Sequence, residues 1–305
     1  MCYSAMVRES LRKIERDYEA QINWQSFVNL YKQRELDFSL KIPSGMDHQL
    51  ISLGGAAANE IKRLCDRHRV AERQRSENAL ALIDAEIASI DHALQLKSTK
   101  TNQQKRDIKL RKRMKLQQAM ESPSLEAGGG YRIYPMYFAP VIMQIGAQRS
   151  IVPMRYRLLP RSGLEVPTQY NVFNARRDSL RSARNWTPLF GRKHAIFPFE
   201  RFFEWVERRE SKIEISFSPD GYDGMWAASL YEEYQHPELG VIRSFAMVTD
   251  DPPEEVRSAG HDRCPVFLDR TLIDNWLIPD GQSLDQLDAL LDHKQRTYYS
   301  HALAA

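Results

Sequence analysis

Four segments of this chain group residues that could do chemistry. They are MCYSAM (1–6), with Cys2 directly behind the first methionine, FNARRDSL (173–180), AIFPFERFFEWVE (195–207) and GHDRCPVFL (260–268). Cys2 offers the most distinctive reaction. Removal of Met1, which a small second residue permits, would leave a chain that begins with cysteine. Such a residue holds an amine (ordinary pKa about 7.7–8.0) and a thiol (about 8.5) on adjacent carbons, both partly deprotonated near neutral pH. The amine condenses with an aldehyde to a Schiff base, and the sulfur then closes on the same carbon as a five-membered thiazolidine. Alternatively the thiolate attacks a carbonyl with its own amine as base, as N-terminal-nucleophile hydrolases do. That route needs an oxyanion hole, and no donor set for one is evident in the sequence. Taken alone, a cysteine at position 2 is equally an ordinary residue at an arbitrary place.

The three later segments each put polar groups at the edge of an apolar, strand-like run, where a rigid scaffold can hold catalytic side chains. Glu204 stands among Phe202, Phe203 and Trp205, and burial there would raise its pKa toward a range suited to proton transfer. Its plain alternative is a surface carboxylate on a strand. His261 is a second proton carrier or else a hydrogen-bonded turn histidine. Asn174 is either an orienting amide or a turn former. His261-x-x-Cys264 supplies two metal ligands with no evident partners, so neither a metal nor a cofactor is expected.

The elements that must position these groups fall into two regions. Up to about Met120 the chain reads helical. Trp24, Phe27, Val28 and Tyr31 recur at three- and four-residue spacing, and Ile83, Ile87, Ile90 and Leu94 form a coiled-coil-like seam in a polar helical segment from Ala56 to Met120. STKTNQ (98–103) reads as the tip of a helical hairpin, and ESPSLEAGGG (121–130) as a linker. From Tyr131 onward, short runs rich in β-branched and aromatic residues alternate with turn residues, followed by two helices over Leu272–Leu277 and Leu284–His293, the second capped by Ser283. The expected organisation is an α+β protein: residues 1–7 join a core over 131–305, and 8–130 form a helical insertion. With 305 residues, 42% of them apolar, the chain can bury a full core. No stretch is apolar enough to span a membrane and no signal peptide is visible. Three widely spaced cysteines (Cys2, Cys65 and Cys264) speak for a reducing, cytosolic setting, and a net charge of +3 leaves partners to be read from the distribution of charge.

Taken together, the motifs resemble those of the SRAP family (SOS response-associated peptidase), the abasic-site processing proteins. That pattern is a Cys after Met1, an Asn-Ala-Arg motif, an aromatic-aromatic-Glu-Trp motif and a His-Asp-Arg-x-Pro motif. Here they stand as Cys2, Asn174-Ala175-Arg176, Phe202-Phe203-Glu204-Trp205 and His261-Asp262-Arg263-Cys264-Pro265, with weaker echoes at Ala139-Pro140 and Pro160. The departures are Tyr3-Ser4 where Gly-Arg is usual, Glu200-Arg201 in place of Asp-Gly, and Tyr156-Arg157 in place of Trp-Gly. The resemblance implies a mixed, barrel-like β core with peripheral helices. It implies that Cys2 captures the aldehyde of an abasic site in single-stranded DNA as a thiazolidine cross-link, with a strand-cleaving lyase reaction as a side activity.

In that reading Glu204 and His261 move protons, His261 opening the sugar ring, Asn174 orients Cys2, and Arg176 binds the adjacent phosphate. A cationic groove with aromatic platforms is expected from Arg155, Tyr156, Arg157, Arg177, Arg184, Trp186, Phe190, Arg192 and Lys193. The expected protein is a cytoplasmic monomer, nucleoid-associated in a bacterium, with a replication-fork protein as a candidate partner. The alternatives are an N-terminal-nucleophile cysteine peptidase or amidase, acting on other chains or on its own Met1 alone, and a coiled-coil adaptor. Lys97–Lys115 holds nine Lys/Arg against Asp107; it reads as a solvated hairpin face or as a secondary contact to DNA or a partner.

Overall fold

The computed structural model describes residues 3–121, 130–208 and 211–304. The elements begin with β1 (Ser4–Met6), α1 (Leu11–Asp17), β2 (Gln21–Ile22), α2 (Trp24–Leu36), α3 (Ser44–Ser52), α4 (Gly55–Leu96) and α5 (Lys100–Glu121). Then come β3 (Arg132–Ile133), β4 (Phe138–Ile145), β5 (Gln148–Tyr156), β6 (Asn174–Arg176), β7 (His194–Phe199), β8 (Arg201–Arg208) and β9 (Ser211–Pro219). The chain continues through β10 (Met225–His236), β11 (Gly240–Asp250), α6 (Glu254–Ser258), β12 (Cys264–Pro265), α7 (Ile273–Leu277), α8 (Leu284–Leu290) and β13 (Tyr299–Leu303).

Strands β11, β10, β7, β4 and β5 are hydrogen-bonded in that order. β5 then returns to pair in parallel with β11 at Ser244↔Arg155 and Phe245↔Tyr156, which closes a five-stranded barrel. β4 turns into β5 through Gly146-Ala147, a two-residue hairpin loop that Gly146 makes possible at φ 59°. Inward side chains fill a barrel this narrow. Tyr156 stacks on Phe245 with centroids 5.2 Å apart, and Phe197 packs against Phe245 at 4.9 Å.

A second, antiparallel sheet has the order β13-β9-β8-β1-β3. Only Glu200 separates β7 from β8, so one continuous stretch runs from the barrel into this sheet. The Glu200 amide donates to the Met6 carbonyl at 2.8 Å, which ties that corner to β1. Phe202 stacks on Phe217 at 5.0 Å beneath the sheet.

The contacts divide the chain into two compact units, Met1–Ile61 with Ala127–Ala305, and Lys62–Glu126. The sequence reading made 8–130 one insertion, but residues 8–61 group with the core. β2 pairs with β5, and α2 buries Phe27, Leu30 and Tyr31. The two helices expected near the C-terminus form as α7 and α8, the second with a capping box between Ser283 and Gln286. In the Lys62–Glu126 unit, α4 ends at Leu96 and α5 begins at Lys100, with Thr99 accepting the Asn102 amide. The two helices run antiparallel, bridged by Arg106–Asp91, Lys109–Glu86 and Arg113–Asp84. Of the apolar seam, Ile83 is buried. Most of the linker expected at 121–130 lies outside the described residues. Among the described residues no helix is long and apolar enough to cross a membrane.

Phe245→Ala is expected to cost about 3–5 kcal/mol by urea denaturation, because it empties the barrel centre. Leu96→Ala, at a residue 77% exposed, is expected to stay within about 0.5 kcal/mol. Similar losses at both positions would contradict a filled barrel.

Candidate active site

β1 is an interior strand. Ser4, Ala5 and Met6 face Phe203, Phe202 and Arg201 on β8, while Ala5 and Met6 face Ile133 and Arg132 on β3. The ladder continues one residue further, with the Tyr3 amide donating to the Phe203 carbonyl at 3.0 Å. Arg132 locks the strand from the side: its Nε donates to the Ser4 hydroxyl at 2.9 Å, it pairs with Glu214, and its guanidinium lies 3.8 Å above the Phe203 ring. The start of the described chain is therefore held beside Glu204. Cys2 itself lies outside the described residues.

Glu204 is 2% exposed and shares one face of β8 with the buried Phe202 and Val206. Burial pushes its carboxyl above the ordinary range, opposed by the hydrogen bond from His261. His261 reaches it from the turn after α6. Gly260 precedes it at φ 103°, against Val206 of β8, a conformation that suits glycine alone. His261 Nε2 is 3.1 Å from Glu204 Oε2, and Nδ1 is 2.8 Å from the Arg263 carbonyl. A carbonyl can only accept, so this contact puts a proton on Nδ1; the Arg263 amide is farther, at 3.3 Å. One further proton then lies in the Nε2···Oε2 bond, held as imidazolium and carboxylate or as imidazole and carboxylic acid. Such a pair can give up and take back a proton.

The end of β11 gathers the remaining motifs. β6 pairs with it in parallel at Met247↔Asn174, Val248↔Ala175 and Thr249↔Arg176. β12 pairs with it at Thr249↔Pro265 and Asp250↔Cys264. The Asn-Ala-Arg and His-Asp-Arg-Cys-Pro segments thus flank one strand end, and Glu204 joins them through His261. Asn174 is buried, and its Oδ1 accepts from the Tyr156 hydroxyl at 3.4 Å. Burial pushes the Cys264 thiol up to about 12, which makes it a poor nucleophile. No group of three or more metal-ligating side chains occurs among the described residues.

The structure separates the expected DNA contacts. Tyr156 is fully buried in the barrel, and Trp186 and Phe190 are also buried, so none offers a face to a base. Arg155 and Arg157 are buried on Glu165, and Arg157 also donates to the carbonyls of Val166, Pro167 and Tyr170. They hold the loop after β5 rather than a phosphate. Arg177 bridges Asp250, Asp288 and Asp292, a clamp on α8, and Lys193 pairs with Glu232. Arg176 is exposed and paired with Asp178. Arg184 and Arg192 are exposed with no carboxylate within salt-bridge distance among the described residues.

Another surface went unrecognised in the sequence. Tyr3 (39% exposed) makes edge contacts with Trp205 (48% exposed) at 6.4 Å and with Tyr134 at 6.0 Å, and Tyr134 contacts Tyr137 at 5.7 Å. Lys41 lies 5.7 Å over Tyr137. Beside β11, Arg263 pairs with Asp251, and the buried Thr249 hydroxyl has no hydrogen-bond partner among the described residues. The alternation of aromatics in YRIYPMYF was the available signal for this ladder, but the strand pairing that sets it beside Trp205 is a long-range contact.

A model of the family described as SOS response associated peptidase (SRAP) matches residues 97–303. The chain belongs to the SRAP family. Within that match lie Asn174, Glu204 and His261; β1 precedes it. This SRAP chain is 26% identical to the abasic site processing protein YobE of Bacillus subtilis (strain 168) over 170 residues, 55% of this chain and 77% of that one. It is likewise 26% identical to the abasic site processing protein YoqW of Bacillus phage SPbeta, over 55% of this chain and 75% of that one. A solved structure of a Bordetella bronchiseptica protein aligns with TM-score 0.48 and 17% identity, over 57% of this chain and 87% of that one.

Because the folded Glu204 keeps its proton to higher pH than the unfolded chain does, folding stability falls as pH rises from about 4.5 through the raised pKa. Glu204→Gln removes that dependence. Urea titrations across this range are expected to show the variant gaining stability over the parent as pH rises; parallel curves would contradict the raised pKa.

Proposed function

We propose that this SRAP chain processes abasic sites in single-stranded DNA by covalent capture through Cys2. The observation that carries the reading is the Glu204–His261 pair set against β1, the strand that leads back to residue 2. Tyr3 is hydrogen-bonded to β8 beside Glu204, and Cys2 is the residue that precedes it in the chain. The naming of its relatives as abasic site processing proteins agrees with this chemistry.

In the proposed sequence, the His261 imidazolium protonates the ring oxygen of the deoxyribose while the Glu204 carboxylate takes the proton of the C1′ hydroxyl, which opens the ring to the C1′ aldehyde and leaves Glu204 as the acid. The neutral Cys2 amine adds to that carbon. Glu204, as carboxylic acid, protonates the carbinolamine hydroxyl, which leaves as water. The thiolate adds to the imine carbon and the nitrogen takes a proton, closing the thiazolidine. Aldehyde and aminothiol combine with loss of one water, and no redox partner is needed. Asn174 would orient the nucleophile, with Tyr156 fixing its amide. The exposed Trp205 and Tyr3 offer stacking faces for bases beside the lesion, while the exposed Arg176 would take a phosphate in exchange for Asp178.

The test mixes the protein with an abasic-site oligonucleotide and reads a denaturing gel. A heat-stable protein–DNA band that Cys2→Ala abolishes is expected. A peptidase using the same cysteine would leave no such band. Glu204→Gln should slow band formation by about 10²–10⁴-fold, the usual worth of a positioned proton carrier; an unchanged rate would remove Glu204 from proton transfer. His261→Ala should slow capture of the closed sugar more than of a pre-opened aldehyde, and equal slowing would contradict ring opening by His261. Trp205→Ala should weaken binding of undamaged single strands by about 1–3 kcal/mol if one base stacks there; unchanged binding would contradict that contact.

A further inference from the structure

The Lys62–Glu126 unit is not used by the chemistry above, yet its charges are sorted by side. α5 carries eight Lys/Arg against Asp107 and Glu121. Arg106, Lys109 and Arg113, spaced by three and four residues on one face, are neutralised by Asp91, Glu86 and Asp84 of α4. Lys105, Arg111, Lys112 and Lys115 are exposed, and none has a carboxylate within salt-bridge distance among the described residues. At 100° per residue these four lie within about 120° of arc, turned away from the mean direction of the paired three. α4 thus cancels only the charge of that paired face, and α5 keeps a cationic stripe with Asp107, one turn before Arg111, at its edge. Between Lys105 and Lys115 the stripe runs about 15 Å along the helix, a length that two or three phosphates of an extended strand would occupy. No residue of α5 is buried, so the stripe is not required for packing.

We propose that this stripe is a second, sequence-independent contact for the phosphate backbone of the DNA strand being processed. The inference deepens the abasic-site reading and rests on it. The occupant is chosen by charge: Arg111 and Lys115, one turn apart, repel each other on a bare helix face, whereas a polyanion relieves that repulsion and releases counterions on binding. The contact would add affinity and residence on long strands without touching the reacting groups.

The experiment uses the full chain and the variant Lys105→Gln/Arg111→Gln/Lys112→Gln/Lys115→Gln, whose changes are all on exposed positions and leave the three bridges to α4 intact. Binding of an undamaged single strand of about 30 nucleotides is followed by fluorescence anisotropy from about 50 to 200 mM salt. Each single-strand phosphate contact contributes roughly 0.7 to the slope of log K against log salt, so the loss of two or three contacts should make the variant's slope shallower by about 1.5 to 2. Its capture of an abasic oligonucleotide of about five nucleotides, the span of a single-strand site of the smallest size, should match the parent's. An unchanged slope on the long strand overturns the proposal, and is the result expected of a merely solvated face or a protein-binding one. Equal loss of binding on long and short strands also overturns it, because the charges would then act on the core site. If the parent itself fails to capture the short oligonucleotide, the abasic-site reading fails, while the slope comparison still decides whether the stripe binds DNA.

Discussion

The backbone ladder between β1 and β8 is the constraint on which the site depends. Chain termini ordinarily fray, yet Ser4, Ala5 and Met6 are buried between two strands and carry hydrogen bonds on both edges. A slip of one residue would exchange the two faces of β1 and put the phenol of Tyr3 where the buried Ser4 now lies. Arg132 guards against that slip through its bond to Ser4 and its contact with Phe203. The ladder thereby makes neighbours of residues about 200 positions apart in sequence, and gives Tyr3 to Met6 a fixed place.

The same sheet carries a cost. Glu204 is almost fully removed from water, which disfavours its charged form, and the His261 bond offsets only part of that penalty. A hydrophobic residue at 204 would serve the fold better. Keeping a carboxyl there, bonded to a histidine held by Gly260, is the arrangement expected where a proton must move rather than where a sheet must be stable. The barrel supplies rigidity for this: Tyr156 is anchored among Phe173, Phe197 and Phe245 and passes its hydroxyl to Asn174.

Much of this was legible in the sequence because it is local. The strand runs after Tyr131, the Ser283 cap and the hairpin tip near 98–103 follow from residue periodicity and turn chemistry. The motifs around Asn174, Glu204 and His261 were legible as a set by their resemblance to the SRAP pattern. What could not be read was burial set by pairing. Tyr156, Arg155 and Arg157 look like a cationic, aromatic DNA contact in YRL context, but closure of β5 onto β11 puts Tyr156 inside the barrel, and Glu165 takes up Arg155 and Arg157. Likewise α1, β2 and α2 read as part of the helical insertion until β2 pairs with β5. The ladder of Tyr3, Trp205 and Tyr134 exists only because β1 lies between β8 and β3.

Bonding of the leading cysteine's nitrogen and sulfur to the sugar carbon is tested most directly by locating the adduct. After reaction with an abasic oligonucleotide, nuclease and trypsin digestion followed by mass spectrometry is expected to place the sugar remnant on the peptide Cys2–Arg8, without Met1 and with one water lost relative to the sum of the parts. A remnant on a lysine elsewhere, or on a peptide that retains Met1, would contradict the account.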